Sequence, residues 1–175
     1  ASPDLLINNG VPNVLIILDN SANWNDVNQK WVGINGNFIP QGRSEAKALK
    51  SVINSLPVGA VNVGLMMFVK SSSNPAGGYL RFGIRLMDQT NKDALMKILD
   101  QLNIGGDDQV AAADADYSAV LFEAFKYFGG YGRWVNDASV AGSPVDATHF
   151  GPRARSGLGG DNNLRDWTGN TAQPT

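Results

Sequence analysis

Cysteine is absent from this chain of 175 residues, and histidine occurs once, at position 149. The lack of cysteine excludes thiol nucleophiles, disulfide bonds and cysteine-ligated zinc. The single histidine excludes a metal site with several histidine ligands, and a Ser-His-Asp triad would depend on His149 alone. No run of basic residues occurs and the net charge is −2, which argues against nucleic acid as a partner.

Long apolar runs are also missing, since no stretch approaches the ~18 residues of a membrane-spanning helix. Charged residues make up 17% of the chain, below the usual level of about 25%. The length is sufficient for one domain with its own core. The chain begins with ASPDLL rather than Met, which is typical of the product of a signal peptidase. We therefore expect an exported protein.

The apolar residues that are present predict an α/β domain. Residues 14–18 and 61–69 are continuous apolar runs, as expected of strands buried on both faces of a parallel sheet. The segment between them, Ser44–Leu56, has the apolar spacing of a helix. A strand, a helix and a second strand in this order predict a parallel pair.

Alternating residues from 80 to 86 predict a third strand, antiparallel to the second and exposed to water on one face. Its buried face would carry Leu80, Phe82, Ile84 and Leu86. Two more helices are predicted over residues 91–103 and 117–128. The inward side chains of the last helix would be Val120, Leu121, Ala124, Phe125 and Phe128.

Composition divides the chain into three parts. Residues 1–12 form an extended lead-in, and residues 13–130 form the domain, with a Gly- and Asn-rich loop insertion over 24–42. Residues 131–175 are rich in Gly, Pro and Asn, which predicts an insertion or a tail.

The first predicted strand ends on Asp19, and Ser21 and Asn23 follow at a spacing of two. Ligands of open α/β sheets bind at the carboxyl ends of the strands. One carboxylate with neutral oxygens suits Mg²⁺, which keeps several of its waters. Two interpretations stay open: a cation site, or a strand end at which Asp19 and Ser21 cap a turn and Asn20 and Asn23 are turn formers.

Several segments, taken in order, resemble a known family. An apolar strand followed by D-x-S-x-S is the first motif of von Willebrand factor A domains, in which the Asp and both Ser face a metal. The runs DNSANWNDVNQKW, QGRSEAKALKSVINSL, VNVGLMMF and YSAVLFEAFKYFGGY look like the N-terminal region of the PilC/PilY family of type IV pilus tip-associated adhesins. The segment VAGSPVDATHFGP also resembles an insertion in those proteins, and the resemblance covers most of residues 13–152.

The resemblance implies a von Willebrand factor A-like (Rossmann-like) fold. That fold has a mostly parallel sheet of six strands with helices on both faces, and the chain would hold only the first half of it. The first strand, central in the whole sheet, would then be a bare edge. We expect another chain, or the remaining part of the same protein, to cover this edge by strand addition.

The resemblance also implies a metal-ion-dependent adhesion site for Mg²⁺, with Mn²⁺ or Ca²⁺ as substitutes. Its first ligands would be Asp19, Ser21 and Asn23, where Asn replaces the second Ser of the motif. The family takes a third ligand, a Thr, from the loop before the third helix. The sequence there is DADYS, so Asp114, Asp116 or Ser118 would substitute. A last Asp, which follows a later strand, has no counterpart in these residues, and the alternative is a relic site that holds no metal.

The implied function is non-enzymatic: adhesion and pilus assembly outside a bacterial cell, at a pilus tip, with pilin or minor pilin subunits and a host or surface ligand as partners. The alternative is a purely structural assembly subunit. Haloacid-dehalogenase-type phosphatases also place an Asp after the first strand, but they need a second Asp where Ser21 stands. The G-x-S-x-G motif of many serine hydrolases does not occur.

Overall fold

The computed structural model describes residues 10–27, 36–69, 77–110 and 115–129. Three strands and three helices lie within them: β1 (Asn13–Leu18), α1 (Gln41–Ser55), β2 (Asn62–Phe68), β3 (Gly78–Leu86), α2 (Gln89–Asp100) and α3 (Tyr117–Gly129). A short 3₁₀ helix, Ala22–Asn25, follows β1. The predicted order of strands and helices is confirmed. The tail over 131–175 and most of the lead-in lie outside the described residues.

The three strands form one mixed sheet in the order β1-β2-β3. β1 is parallel to β2, with Leu18 opposite Met67, and β2 is antiparallel to β3. Both predicted pairings are therefore confirmed. Within the described residues the sheet is mixed rather than mostly parallel, and β1 lies at its edge.

β3 is irregular, and this overturns the prediction for its buried face. Leu65 lies opposite Phe82 and Met66 lies opposite Leu80, so β3 has one extra residue between these pairs. An extra residue is a bulge, and it reverses the alternation of side chains. Leu80 consequently packs with Met66 on one face, while Phe82 packs with Leu65 on the other. The four predicted residues do not share a face, and Leu86 is exposed.

Helices cover both faces of the sheet, as predicted. On one face, side chains of β2 pack against α1 and α2. On the other face they pack against α3. Burial of each large aliphatic or aromatic side chain stabilises the fold by about 1.5–3 kcal/mol. The alternating burial of β2 between two helical layers explains why its sequence is a continuous apolar run.

Two basic side chains fix α1 against α2. Arg43, near the start of α1, donates to two carbonyls at the end of α2, at 3.1 and 3.0 Å. Lys92, near the start of α2, donates to two carbonyls at the end of α1, at 3.0 and 2.6 Å. The helices are therefore antiparallel, and each cation satisfies orphan carbonyls of the neighbouring helix.

α3 spans the predicted residues, but its buried face differs from the prediction. Val120 and Ala124 are buried as predicted. The other three predicted core residues are exposed: Leu121 by 62%, Phe125 by 62% and Phe128 by 42%. Glu123, Lys126 and Tyr127 are buried instead. The buried side of α3 is therefore rotated relative to the predicted one, with Val120, Ala124 and Tyr127 packed in the core cluster.

Candidate functional site at the end of β1

The carboxylate of Asp19 follows β1 directly and is the centre of the candidate site. Its Oδ1 accepts a hydrogen bond from the backbone N–H of Ser21 at 3.0 Å and another from the Ser21 hydroxyl at 2.5 Å. Its Oδ2 accepts from the hydroxyl of Tyr117. Three donors thus hold a half-buried carboxylate at the end of the sheet where ligands of α/β folds bind.

The turn after Asp19 is built by local hydrogen bonds. An aspartate that accepts from the N–H two residues later forms an Asx turn. The backbone carbonyl of Ser21 then accepts from the N–H of Trp24 at 3.0 Å, which starts the 3₁₀ helix. Between them, Ala22 has a φ of 43°, a strained value for a residue with a Cβ. Strain of this kind is concentrated at functional sites, which makes the turn a candidate.

Asn20 is a structural residue of the same turn. It is 1% exposed. Its side-chain N–H donates to the backbone carbonyl of Phe68 at 3.3 Å, and its side-chain oxygen accepts from the backbone N–H of Phe68 at 2.8 Å. The side-chain amide also donates to the backbone carbonyl of Asp108 at 2.6 Å. The backbone carbonyl of Asn20 accepts from the N–H of Val110 at 2.9 Å. Asn20 therefore ties the ends of β1 and β2 to the loop before α3, which places Asp19.

Tyr117 is the first residue of α3 and brings that helix to the site. Its ring packs edge-on against Phe68, with centroids 5.2 Å apart. The preceding residue, Asp116, caps the helix, because its Oδ1 accepts from the N–H of Ala119 at 3.0 Å. The N-terminus of α3 thus lies at Asp19, and the helix dipole there favours a negative charge.

The pKa of Asp19 reflects this environment. Burial raises the pKa, but the hydrogen bonds from the Ser21 hydroxyl, from Tyr117 and from the Ser21 backbone outweigh burial, so the pKa lies below its ordinary value of 3.8. The hydrogen bond to Asp19 and the negative charge of that carboxylate raise the pKa of Tyr117. At neutral pH the site therefore holds one ionised carboxylate and two neutral hydroxyls.

The predicted ligands are only partly brought together. Asp19 and Ser21 are in direct contact, as the motif predicts. Among the described residues, the hydrogen bonds of the Asp19 carboxylate come from Ser21 and Tyr117, not from Asn23 or Asp116. Asn23 is exposed in the 3₁₀ helix. The predicted ligand Asp114 lies outside the described residues.

Sequence reasoning missed Tyr117, although the signal was present. The resemblance implies a hydroxyl ligand from the loop before the third helix, and the residues predicted to replace it were Asp114, Asp116 and Ser118. Tyr117 also carries a hydroxyl, and a longer side chain reaches Asp19 from the first turn of α3. The hydroxyl of a tyrosine at the start of a helix, next to Ser118, is the sequence signal that predicts this contact.

These groups fit a hard cation. Mg²⁺ prefers oxygen ligands and retains several waters, so a carboxylate with neighbouring hydroxyls offers ligands of the type that this ion takes. Each hydroxyl that donates its proton to Asp19 keeps oxygen lone pairs for another partner. In the described parts of the chain, no three histidine, aspartate or glutamate side chains cluster into a metal site. A cation at Asp19 would therefore depend on that single carboxylate.

Comparisons with known proteins do not identify a family for this chain. No family model and no curated protein matches the chain. Among solved structures, the chain is similar to an uncharacterized membrane-spanning protein from Vibrio fischeri, with 14% identity and a TM-score of 0.46 over 65% of this chain. The match covers 48% of that protein, so this chain spans about half its length. At this level the likeness assigns neither fold nor function.

No helix among the described residues has the length and apolar character needed to span a membrane.

Proposed function

We propose that this chain is a non-enzymatic adhesion and pilus-assembly module of the von Willebrand factor A type, related to the PilC/PilY proteins and placed outside the cell at a pilus tip. The observation that carries the proposal is the meeting of two hydroxyls, from Ser21 and Tyr117, on the carboxylate of Asp19. They come from the loop after β1 and from the first residue of α3, which directly follows the loop from which the resemblance implies a further metal ligand.

The proposed mechanism is metal-assisted binding. Asp19, Ser21 and Tyr117 would hold Mg²⁺, or Mn²⁺ as a substitute, and the ion would supply the positive charge that attracts a carboxylate of a pilin or surface ligand. Ser21 and Tyr117 also orient the carboxylate by hydrogen bonds, and loss of such a supporting bond commonly weakens metal binding by about 10- to 100-fold. No covalent bond is made or broken.

The chemistry of the site favours binding over catalysis. A phosphatase that used Asp19 as its nucleophile would need an acid two residues later to protonate the leaving group. Ser21 stands there, and its hydroxyl donates to Asp19 at 2.5 Å. A serine hydroxyl is a poor proton donor compared with a carboxylic acid, so the turn lacks the general acid of that reaction.

A second candidate is a structural assembly subunit that binds no metal. Both oxygens of Asp19 already accept hydrogen bonds from the protein, so the carboxylate is satisfied without a cation. In this alternative the turn is an ordinary cap, and the functional surface is the edge of the sheet at β1, completed by another chain.

Calorimetric titration with Mn²⁺ and Mg²⁺ separates the two candidates. The adhesion proposal predicts millimolar or tighter binding, lost in Asp19→Ala and weakened in Tyr117→Phe. Asp93→Ala, which removes an exposed acid of α2, is the matched control and should bind as the wild type does. Absence of binding to the wild-type chain would overturn the cation site and leave the structural candidate.

A further inference from the structure

The turn after β1 is fixed at both of its ends. At its beginning, the side-chain amide of Asn20 is buried and bonds the backbone at the end of β2. At its far end, the indole of Trp24 is buried and donates to a carboxylate of α1. Between these two residues lie Ser21, Ala22 and Asn23. Ala22 and Asn23 are exposed, so packing against the core does not fix their backbone.

The middle of the turn is strained at Ala22. Its φ of 43° lies in the left-handed region, which is unfavourable for a residue with a Cβ. Relaxation of Ala22 to a negative φ would rotate the chain on either side of it. Because Trp24 is fixed in the core, Ser21 would take up that rotation, and its hydroxyl and N–H are the groups that bind Asp19. A contact that holds Ala22 therefore also holds the candidate site.

The side chain of Gln109 makes such a contact. Its Nε2 donates to the backbone carbonyl of Ala22 at 2.9 Å and to the Oδ1 of Asn25 at 3.2 Å. The two bonds use both hydrogens of the amide. They join the strained residue to Asn25, the last residue of the 3₁₀ helix. Gln109 therefore spans the exposed part of the turn, which the core does not hold.

The loop before α3 brings Gln109 to this position. Asp108 is buried, and its Oδ2 accepts from the backbone N–H of Asn103 at 2.7 Å, which closes the loop on itself. On either side of Gln109, the carbonyl of Asp108 and the N–H of Val110 bond Asn20 at 2.6 and 2.9 Å. Three consecutive residues thus bond the turn, and the middle one does so through its side chain.

The Oε1 of Gln109 indicates that this side chain does not serve stability alone. That atom is buried and accepts no hydrogen bond within the described parts of the chain. A buried acceptor without a partner lowers the stability of the fold. Reversal of the amide would not help, because Oε1 would then face the two oxygens that Nε2 now contacts. An apolar side chain of the same length would avoid this cost but could not hold Ala22.

We propose that Gln109 is a positioning residue of the Asp19 cation site. Its two hydrogen bonds hold the strained turn in the conformation that keeps the hydroxyl of Ser21 on Asp19. The inference rests on the proposed cation site and extends it to a residue that is not among the proposed ligands. Gln109 acts through the backbone of the turn, so its loss should weaken cation binding without removing a ligand.

Calorimetric titration with Mn²⁺ tests this role in Gln109→Met, which keeps the length of the side chain and removes its amide. We expect the affinity for Mn²⁺ to fall about tenfold, the lower end of the effect of residues that support metal ligands. The midpoint of urea unfolding should stay close to the wild-type value, since the variant also removes the unsatisfied Oε1 and lets Ala22 relax. Gln101→Met, at an exposed glutamine that ends α2, is the matched control and should change neither quantity.

The backbone of Ala22 gives a readout that needs no metal. Its carbon chemical shifts report the left-handed φ, and in Gln109→Met they should move toward the values of a negative φ. Glycine adopts a positive φ without steric cost. The double variant Ala22→Gly/Gln109→Met should therefore bind Mn²⁺ several-fold more tightly than Gln109→Met, a rescue that a purely structural role of Gln109 does not predict.

The outcomes separate this inference from the proposed function. Absence of Mn²⁺ binding to the wild-type chain would overturn the cation site and the role of Gln109 in it. Wild-type affinity in Gln109→Met, or unchanged shifts of Ala22, would overturn the role of Gln109 and leave the cation site intact. A loss of affinity that is matched by a loss of folding stability, without rescue by Ala22→Gly, would show a general structural role and would also overturn the inference.

Discussion

The hydroxyl of Tyr117 donates a hydrogen bond to the carboxylate of Asp19, and the two residues lie 98 positions apart in the chain. This bond joins the first turn of α3 to the end of β1. A ligand bound to the Asp19 carboxylate would therefore lie next to the start of α3. The same contact orients the carboxylate and helps to lower its pKa, as a cation site requires.

Removal of the Tyr117 hydroxyl should raise the pKa of Asp19. Burial alone raises that pKa, and the hydrogen bond from Tyr117 is among the interactions that bring it below 3.8. The pKa in Tyr117→Phe, measured by NMR titration of the carboxyl carbon, should move upward. Ser118→Ala removes an exposed neighbouring hydroxyl and should leave the pKa of Asp19 unchanged. An equal shift in both variants would contradict a specific role for Tyr117.

The same bond makes stability depend on pH in a defined direction. The folded-state pKa of Asp19 is lowered, so its contribution is complete above the unfolded value and is lost as the pH falls through the folded value. Tyr117→Phe should therefore lower the free energy of unfolding more at neutral pH than well below pH 3.8. Urea unfolding at the two pH values measures this difference, and an effect that is independent of pH would contradict the account.

The two asparagines of the turn should differ sharply in their effect on stability. Asn20→Ala leaves the buried N–H of Phe68 and the carbonyl of Asp108 without their partner, at a cost of at least about 2 kcal/mol. Asn23→Ala changes an exposed side chain and should cost less than about 0.5 kcal/mol. Chemical denaturation of both variants compares them directly. Equal costs would show that Asn20 is not a structural clamp.

Gly42 is required for the packing of Trp24. A Cβ at position 42 would overlap the indole ring, which is 1% exposed and donates to Glu45 at 3.0 Å. The ring is rigid, so Gly42→Ala should destabilise the fold by about 1–3 kcal/mol through overpacking. Tryptophan fluorescence should report the displaced ring. Ser51→Ala, at an exposed position of the same helix, is the control and should be nearly neutral or slightly stabilising.

Local patterns were sufficient to predict most of the fold. β2 is a long apolar run because both of its faces are covered, and a run of this kind can be recognised from the sequence alone. The helical spacing of α1 between two such runs likewise predicts the parallel pairing of β1 with β2. These signals depend on side chains close together in the chain, so no tertiary information is needed to read them.

The failures arose where tertiary structure overrides a local pattern. The alternation in β3 is regular in sequence, but irregularities between Leu80 and Phe82 and between Phe82 and Arg85 change its faces. Phe125 has the spacing of a core residue but is exposed, because α3 packs Val120, Ala124 and Tyr127 against the core instead. Tyr117 was missed because the hydroxyl or carboxylate ligand was expected from Asp114, Asp116 or Ser118, and which neighbouring side chain reaches Asp19 depends on how α3 begins.

Paramagnetic broadening by Mn²⁺, observed on assigned backbone amides, is the most direct test of the proposed cation site. The account predicts selective loss of signal for residues 19–23 and 116–119 at substoichiometric Mn²⁺, and no such loss in Asp19→Ala. Broadening centred on the exposed acids of α2, Asp93 and Asp100, or no selective broadening at all, would contradict a cation site at the end of β1.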